Sequence, residues 1–409
     1  MDNAAFSPAR ALGIASAVLS IAAGTSARAA DAAHPGRLVF DRAGAVVVAA
    51  GTANGQAASI VRIDPAGGLR VIHRFPLNDV PASLALIGDR VVGINGLPEG
   101  GGGAFTVTGT RFRRVFRVPD DGYGTIAYVR GVPASTGFTF AMDGGRGASC
   151  RGFKRQTPCG AIEAIGPNGA RRIATFGRPT APYALAGNGR SAWFGAFEPP
   201  RVLDLGGRYS PIYTLDPAVD AAPFFGGALL ALRGHGQIVV TPIDVTRVIG
   251  VAHIAAPDAS DVTLRTRAHT AYLLVTTNGH SGRSKTTLYL FSPTGDTRAV
   301  GTWSTDNVQL HYVDAGGDAV VSTEQRTVAG EVTSRGALFR ITANGALHRL
   351  PLGPWGERGA VDDAIEGPGG AVWSLVSFFG SPLAVVRSDP RSARSYPIPA
   401  GSGKFLRKN

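Results

Sequence analysis

Between Ile60 and Phe75 the chain reads IVRIDPAGGLRVIHRF, two arms rich in Ile and Val joined by a Pro-Ala-Gly-Gly turn, with apolar residues at alternate positions on the first arm. A period of two interrupted by Gly and Pro predicts a β-hairpin. The same grammar returns at Ala161–Phe176 (AIEAIGPNGARRIATF), Thr287–Trp303 (TLYLFSPTGDTRAVGTW) and Ala337–Leu352 (ALFRITANGALHRLPL). A pattern that recurs this regularly is an internal repeat and decides the fold class before any single residue does.

Two further short apolar runs precede each hairpin, so that each repeat reads as four strands. The first carries them at Leu38–Phe40, Val46–Ala50, Ser59–Asp64 and Leu69–Phe75. Successive repeats span 37–77, 82–118, 125–177, 182–216, 223–256, 261–303, 307–352 and 360–399. Their mean length of about 45 residues is that of a four-stranded propeller blade. The expectation is one all-β domain over 30–400, a β-propeller of eight four-stranded blades, or of seven if the first or fourth repeat is not a full blade. Closure into a ring also removes exposed sheet edges.

Composition agrees with many short strands. The chain has 56 Gly and 27 Pro, and it is 44% hydrophobic but only 17% charged. That is too apolar for disorder and too interrupted for long helices.

Residues 1–29 read as a signal peptide: Arg10, then the apolar run Ala11–Ala23, then Ala27-Arg28-Ala29 as a small-x-small cleavage signature. The run is too short to span a bilayer. Its weak basic start leaves an uncleaved anchor as the alternative. The expected address is periplasmic or extracellular, and the expected state monomeric. In an oxidising compartment Cys150 and Cys159, nine apart in SCRGFKRQTPCG, are placed to close a disulfide. Residues 401–409 form a basic C-terminal tail.

The formal charge is +12, from 41 basic and 29 acidic residues, and only four of the basic ones are lysine. Such a surplus suits an anionic glycan or envelope component, or a protein, and no specific nucleic acid is indicated; a solvated arginine surface is the competing explanation.

Ile60–Thr106 resembles the GloVer-type tandem propeller repeats of exported bacterial proteins, in which a P-x-G hairpin is followed by an A-x-L strand and a Gly-rich loop. LFRITANGALHRLPLG (338–353) and IEGPGGAVWSL (365–375) are similar to repeats of virginiamycin B lyase and NHL-like propellers. These resemblances imply a propeller fold. The lyase likeness also implies His and Glu at the channel mouth, for which His235, His280, His311 and Glu366 are the candidates by position, without a complete motif match.

In a four-stranded blade the loop between strands two and three and the link to the next blade leave on the same face, where propellers usually meet ligands. An acidic residue recurs in these links, at Asp79, Asp121, Asp220, Asp258, Asp306 and Asp362. Carboxylates ringing the axis would hold a divalent cation, Ca or Mg, through oxygen ligands. Asp is equally a preferred turn residue. The second-to-third-strand loops are basic, with Arg151, Lys154, Arg155, His235, His280 and Arg283 as binding-face candidates. No nucleophile elbow, P-loop or dinucleotide fingerprint occurs. Two functions follow: an exported binding or scaffold propeller, or a metal-dependent propeller enzyme of the lyase or lactonase type.

Overall fold

The computed structural model describes residues 36–399 apart from 51–57, 76–79, 97–101, 119–130, 135–136, 145–158, 167–168, 177–183, 188–190, 196–200, 205–208, 212–215, 217, 244, 279–283, 305–306, 329–331 and 379–380; within 116–215 it describes strands and their register. The described strands form eight four-stranded antiparallel sheets, each a meander in chain order. Their first strands are Leu38–Phe40, Val80–Ile87, Gly131–Ala134, Ala184–Gly187, Ala218–Phe224, Ala259–Arg267, Asn307–Val313 and Ala360–Glu366. Each first strand adjoins that of the next sheet, and the eighth returns to the first. The eight first strands therefore make the inner ring of an eight-bladed β-propeller.

The core lies between blades, because a radial sheet buries both of its faces. Val39, Ala49, Ile60 and Phe75 of blade 1 pack against Leu84, Val91, Phe105 and Val107 of blade 2. Blades 5 and 6, 6 and 7, and 7 and 8 repeat this arrangement. The ring closes in the same way, with Leu38, Val46, Val48, Val61 and Ile63 of blade 1 meeting Trp373, Leu375, Val385 and Tyr396 of blade 8. Each side chain fully buried here contributes roughly 1.5–3 kcal/mol. Every blade is one contiguous segment, so no shared sheet fastens the two ends of the ring. Side chains and a few hydrogen bonds carry the closure.

The recurring hairpin turn has an inter-blade purpose. In blades 1, 6 and 7 it has one geometry: the N–H groups of Gly67, Gly295 and Gly345 donate to the carbonyls of Asp64, Ser292 and Thr342. The three glycines sit at φ of 90, 94 and 90°, the left-handed region where a side chain is strained. Each also abuts the outer edge of the preceding blade: Gly67 meets Arg394 and Tyr396, Gly295 meets Gly250 and Val251 just before the outer strand Ala252–Ala255, and Gly345 meets Val300. Arg298 of blade 6 donates to the carbonyl of Ala343 in the blade 7 turn. We expect Gly345→Ala to cost about 1–2 kcal/mol in chemical unfolding, since its Cβ would lie 3.2 Å from the Val300 carbonyl oxygen.

Blades 2 and 6 begin two residues before the sequence expectation, at Val80 and Ala259, and blade 5 differs more. Blade 5 begins at Ala218, not 223, with Ala218–Phe224 as its inner strand. Asp220 and Pro223 resemble turn chemistry, yet an inner strand tolerates both. Its Asp finds donors in the next blade, and Pro223 occupies a strand with an unpaired edge facing the axis. Asp362 and Asp363 likewise lie inside the strand Ala360–Glu366, not in a link.

Candidate functional site

The inner strands depart from regular pairing. Register shifts occur between Pro81 and Ser83, Ala218 and Asp220, Ala259 and Asp261, Leu310 and Tyr312, and Val361 and Asp363. A bulge inserts one residue and turns the neighbouring side chains. Polar groups at or beside these bulges then reach across blades.

Asp220 is 2% exposed. Its carboxylate accepts from its neighbour Ala221 N at 2.9 Å, from Leu264 N of blade 6 at 2.8 Å and from Arg265 Nη1 at 3.3 Å. Arg265 continues the chain of contacts, its Nε donating to the His311 carbonyl of blade 7 at 3.2 Å. The His311 ring is buried, with Nε2 2.8 Å from Ser322 Oγ. Burial, helped by the Arg265 charge, pushes its pKa down to about 3. The imidazole is therefore neutral, and three blades are joined by one buried polar series.

A second set lies a few residues further along the same strands. Arg267 of blade 6 passes blade 7 to form an ion pair with Glu366 of blade 8. Glu366 also accepts from Ala315 N at 3.1 Å. Arg340 pairs with Asp314 at 3.0 Å and donates to the Gly370 carbonyl at 2.7 Å. Blade 1 builds the same pair from Arg62 and Asp41, also at 3.0 Å. Tyr312 is buried against this set, and desolvation and the Glu366 charge push its hydroxyl well above the ordinary range.

The ring closure repeats the Asp220 device. The Asp363 carboxylate accepts from its neighbour Ala364 N at 2.8 Å and, across the seam, from Arg37 N and Leu38 N of blade 1 at 2.5 and 3.2 Å. Burial pushes Asp363 up to about 6, against the lowering effect of these donors. Beside it Asp362 pairs with Arg37 at 3.2 Å and is also pushed up by burial.

Of the six proposed cation ligands, Asp220 and Asp362 are at the inner ring and engaged as described, and Asp258 sits exposed in a turn. Asp79, Asp121 and Asp306 lie outside the described residues, as do Arg151, Lys154, Arg155, His280, Arg283 and Cys150. Cys159 opens the strand Cys159–Gly166. His235 is exposed in the turn between the second and third strands of blade 5, at φ 48°. Among the described residues no three His, Cys, Asp or Glu side chains converge to hold a metal ion. Nor is any described helix long and apolar enough to cross a membrane. Sequence reasoning passed over Arg265 and Arg267. The signal available was an Arg inside an otherwise apolar inner strand.

No family model and no curated protein matches the chain, so neither repeat family has support at the level of sequence. Solved structures do match. Sqt1 from Saccharomyces cerevisiae is similar over 90% of this chain and 97% of its own, at 9% identity and a TM-score of 0.56. Apo AztD from Citrobacter koseri aligns over 75% and 83% at 11% identity, with a TM-score of 0.44. A putative 6-phosphogluconolactonase from Bacteroides uniformis ATCC 8492 aligns over 76% and 82% at 15% identity, with a TM-score of 0.39. At these identities the likeness concerns the propeller fold alone.

Proposed function

We propose that this chain is an exported, monomeric binding propeller, periplasmic or extracellular, whose surface takes an anionic glycan or a similarly charged envelope component. The observation that carries this reading is how its arginines divide. Arg37, Arg265 and Arg267 at the inner ring and Arg340 in the third strand of blade 7 are paired with carboxylates. Exposed Arg74, Arg111, Arg113, Arg349 and Arg391 form no ion pair or side-chain hydrogen bond among the described residues. Paired guanidinium groups hold the ring rigid, while unpaired ones give the periphery its positive field.

The lyase or lactonase alternative needs metal ligands at the axis. The described axial carboxylates Asp220, Asp363 and Glu366 are already engaged by N–H donors. The deciding experiment is calorimetric titration of the full chain with oligogalacturonate and with a neutral oligosaccharide of equal length. We expect binding of the acidic chain only, weakening severalfold as salt rises from about 50 to 200 mM, because exposed charges are screened. Equal binding of the neutral sugar would overturn the reading, as would turnover of a lactone or glycan that requires Mg²⁺ or Ca²⁺.

A further inference from the structure

The boundary between blades 8 and 1 is unlike the others. Elsewhere the chain itself runs from the last strand of one blade into the inner strand of the next, whereas blades 8 and 1 are the two ends of the series and share no such link. Parting two blades at any other boundary must carry a covalent connection along. Parting blades 8 and 1 breaks only side-chain packing and hydrogen bonds. The inner strand of blade 1 is also the shortest of the described inner strands, with three residues, Leu38–Phe40.

Gly36 and Arg37, just ahead of that strand, gather contacts from three blades. Towards blade 2, the Gly36 carbonyl accepts from Leu84 N at 2.7 Å, an isolated bridge to the inner strand Val80–Ile87. Within blade 1, the Arg37 carbonyl accepts from Ala49 N at 2.7 Å. Towards blade 8, Arg37 N donates to Asp363 Oδ2 at 2.5 Å, and the Arg37 guanidinium pairs with Asp362 at 3.2 Å. The Asp363 carboxylate lies so close to Gly36 that a Cβ there would overlap it. Space therefore requires glycine at 36, because a side chain would push Asp363 off the N–H groups of Arg37 and Leu38. One step of backbone fastens blade 2 to blade 8 across blade 1.

We infer that Gly36 and Arg37 form a clasp that keeps the ring shut, and that the ring opens first at the blade 8–1 seam when the clasp is released. Opening there parts the inner strands Leu38–Phe40 and Ala360–Glu366 and widens the axis, while the other boundaries stay joined along the chain. The inference is independent of the ligand proposed above. Parts of one fold that open at different free energies are told apart by hydrogen exchange in the native state.

The test is amide exchange of the full chain under native conditions, read by mass spectrometry, for the parent, Gly36→Ala and Gly345→Ala. The last is the control, since it crowds the blade 6–7 boundary, where the chain is continuous. In Gly36→Ala, exchange should accelerate about tenfold or more in Val46–Ala50 of blade 1 and Val372–Phe378 of blade 8, but less than about threefold in Thr270–Asn278 of blade 6. In Gly345→Ala the two seam strands should accelerate less than about threefold. In an Asp363→Ala background, where the carboxylate no longer obstructs a Cβ, Gly36→Ala should add less than about threefold. Should Gly36→Ala fail to fold, Arg37→Ala, which removes the ion pair with Asp362 and keeps the backbone contacts, is read in the same way, with an acceleration of about threefold or more confined to blades 1 and 8. Unchanged exchange at the seam, or uniform acceleration over all blades, would overturn the clasp. Equal acceleration of the seam by Gly345→Ala would overturn its assignment to residues 36 and 37.

Discussion

Replacing Asp220 by Ala is expected to lower the unfolding free energy by about 3–4 kcal/mol, measured by urea titration followed by tryptophan fluorescence. The residue is 2% exposed, and its carboxylate is the shared acceptor for Ala221 N, Leu264 N and Arg265. Truncation leaves two backbone donors without their acceptor, at about 1–3 kcal/mol for each buried group left unsatisfied. It also strands Arg265, whose side chain is 25% exposed and so recovers part of its solvation. Asp220→Asn keeps an oxygen for Leu264 N and should lose less. Exposed Asp258→Ala should change stability by less than about 0.5 kcal/mol. If the Asp220→Ala loss were as small as that of Asp258→Ala, the inter-blade role of Asp220 would be refuted.

The contrast between these two residues shows where sequence stops being informative. Strand number, blade number and the hairpin turns were all legible, because they depend on neighbours a few residues apart: the short apolar run Val46–Ala50, or Asp64 and Gly67 within one turn. The spacing of Asp residues near blade starts was legible too, but its meaning was not. Asp220 finds its donor 44 residues away and Asp363 finds Arg37 326 residues away. Partners at such separations are chosen by ring closure, which no local pattern records. The same holds for Arg267, whose acid lies two blades on, at Glu366. Glycine gave a partial clue. Gly67, Gly295 and Gly345 could be read as turn residues, whereas their contact with the preceding blade appears only once the blades are placed side by side. Charge behaves similarly, for a total of +12 does not say which arginines are paired inside and which remain free outside.

Acid should act on this ring through two buried groups of opposite sign, and their variants should separate the effects. His311 titrates at about 3 in the folded chain against an ordinary 6.5, through burial and then Arg265. Its contribution is complete above pH 6.5 and declines as pH falls toward 3, by about 3 kcal/mol at pH 4. Asp363 titrates at about 6 against 3.8, through burial only partly offset by Arg37, Leu38 and Ala364 N–H donors and the Arg37 charge. Its contribution is complete below pH 3.8 and is lost as pH rises through 6, again about 3 kcal/mol in all. The two nearly cancel between pH 7 and 4. Neighbouring Asp362, also raised, adds to the Asp363 side. His311→Gln, which can still reach Ser322, should therefore gain stability relative to the parent as pH falls from 7 to 4. Asp363→Asn, which keeps an acceptor at the seam, should lose stability relative to the parent over the same interval. Each divergence should reach about 2–3 kcal/mol in urea unfolding. Parallel pH profiles for the two variants would show that neither group is buried as described. Opposite slopes would identify the blade 5–7 series as the part of the ring that acid weakens, and the blade 8–1 seam as the part that acid tightens.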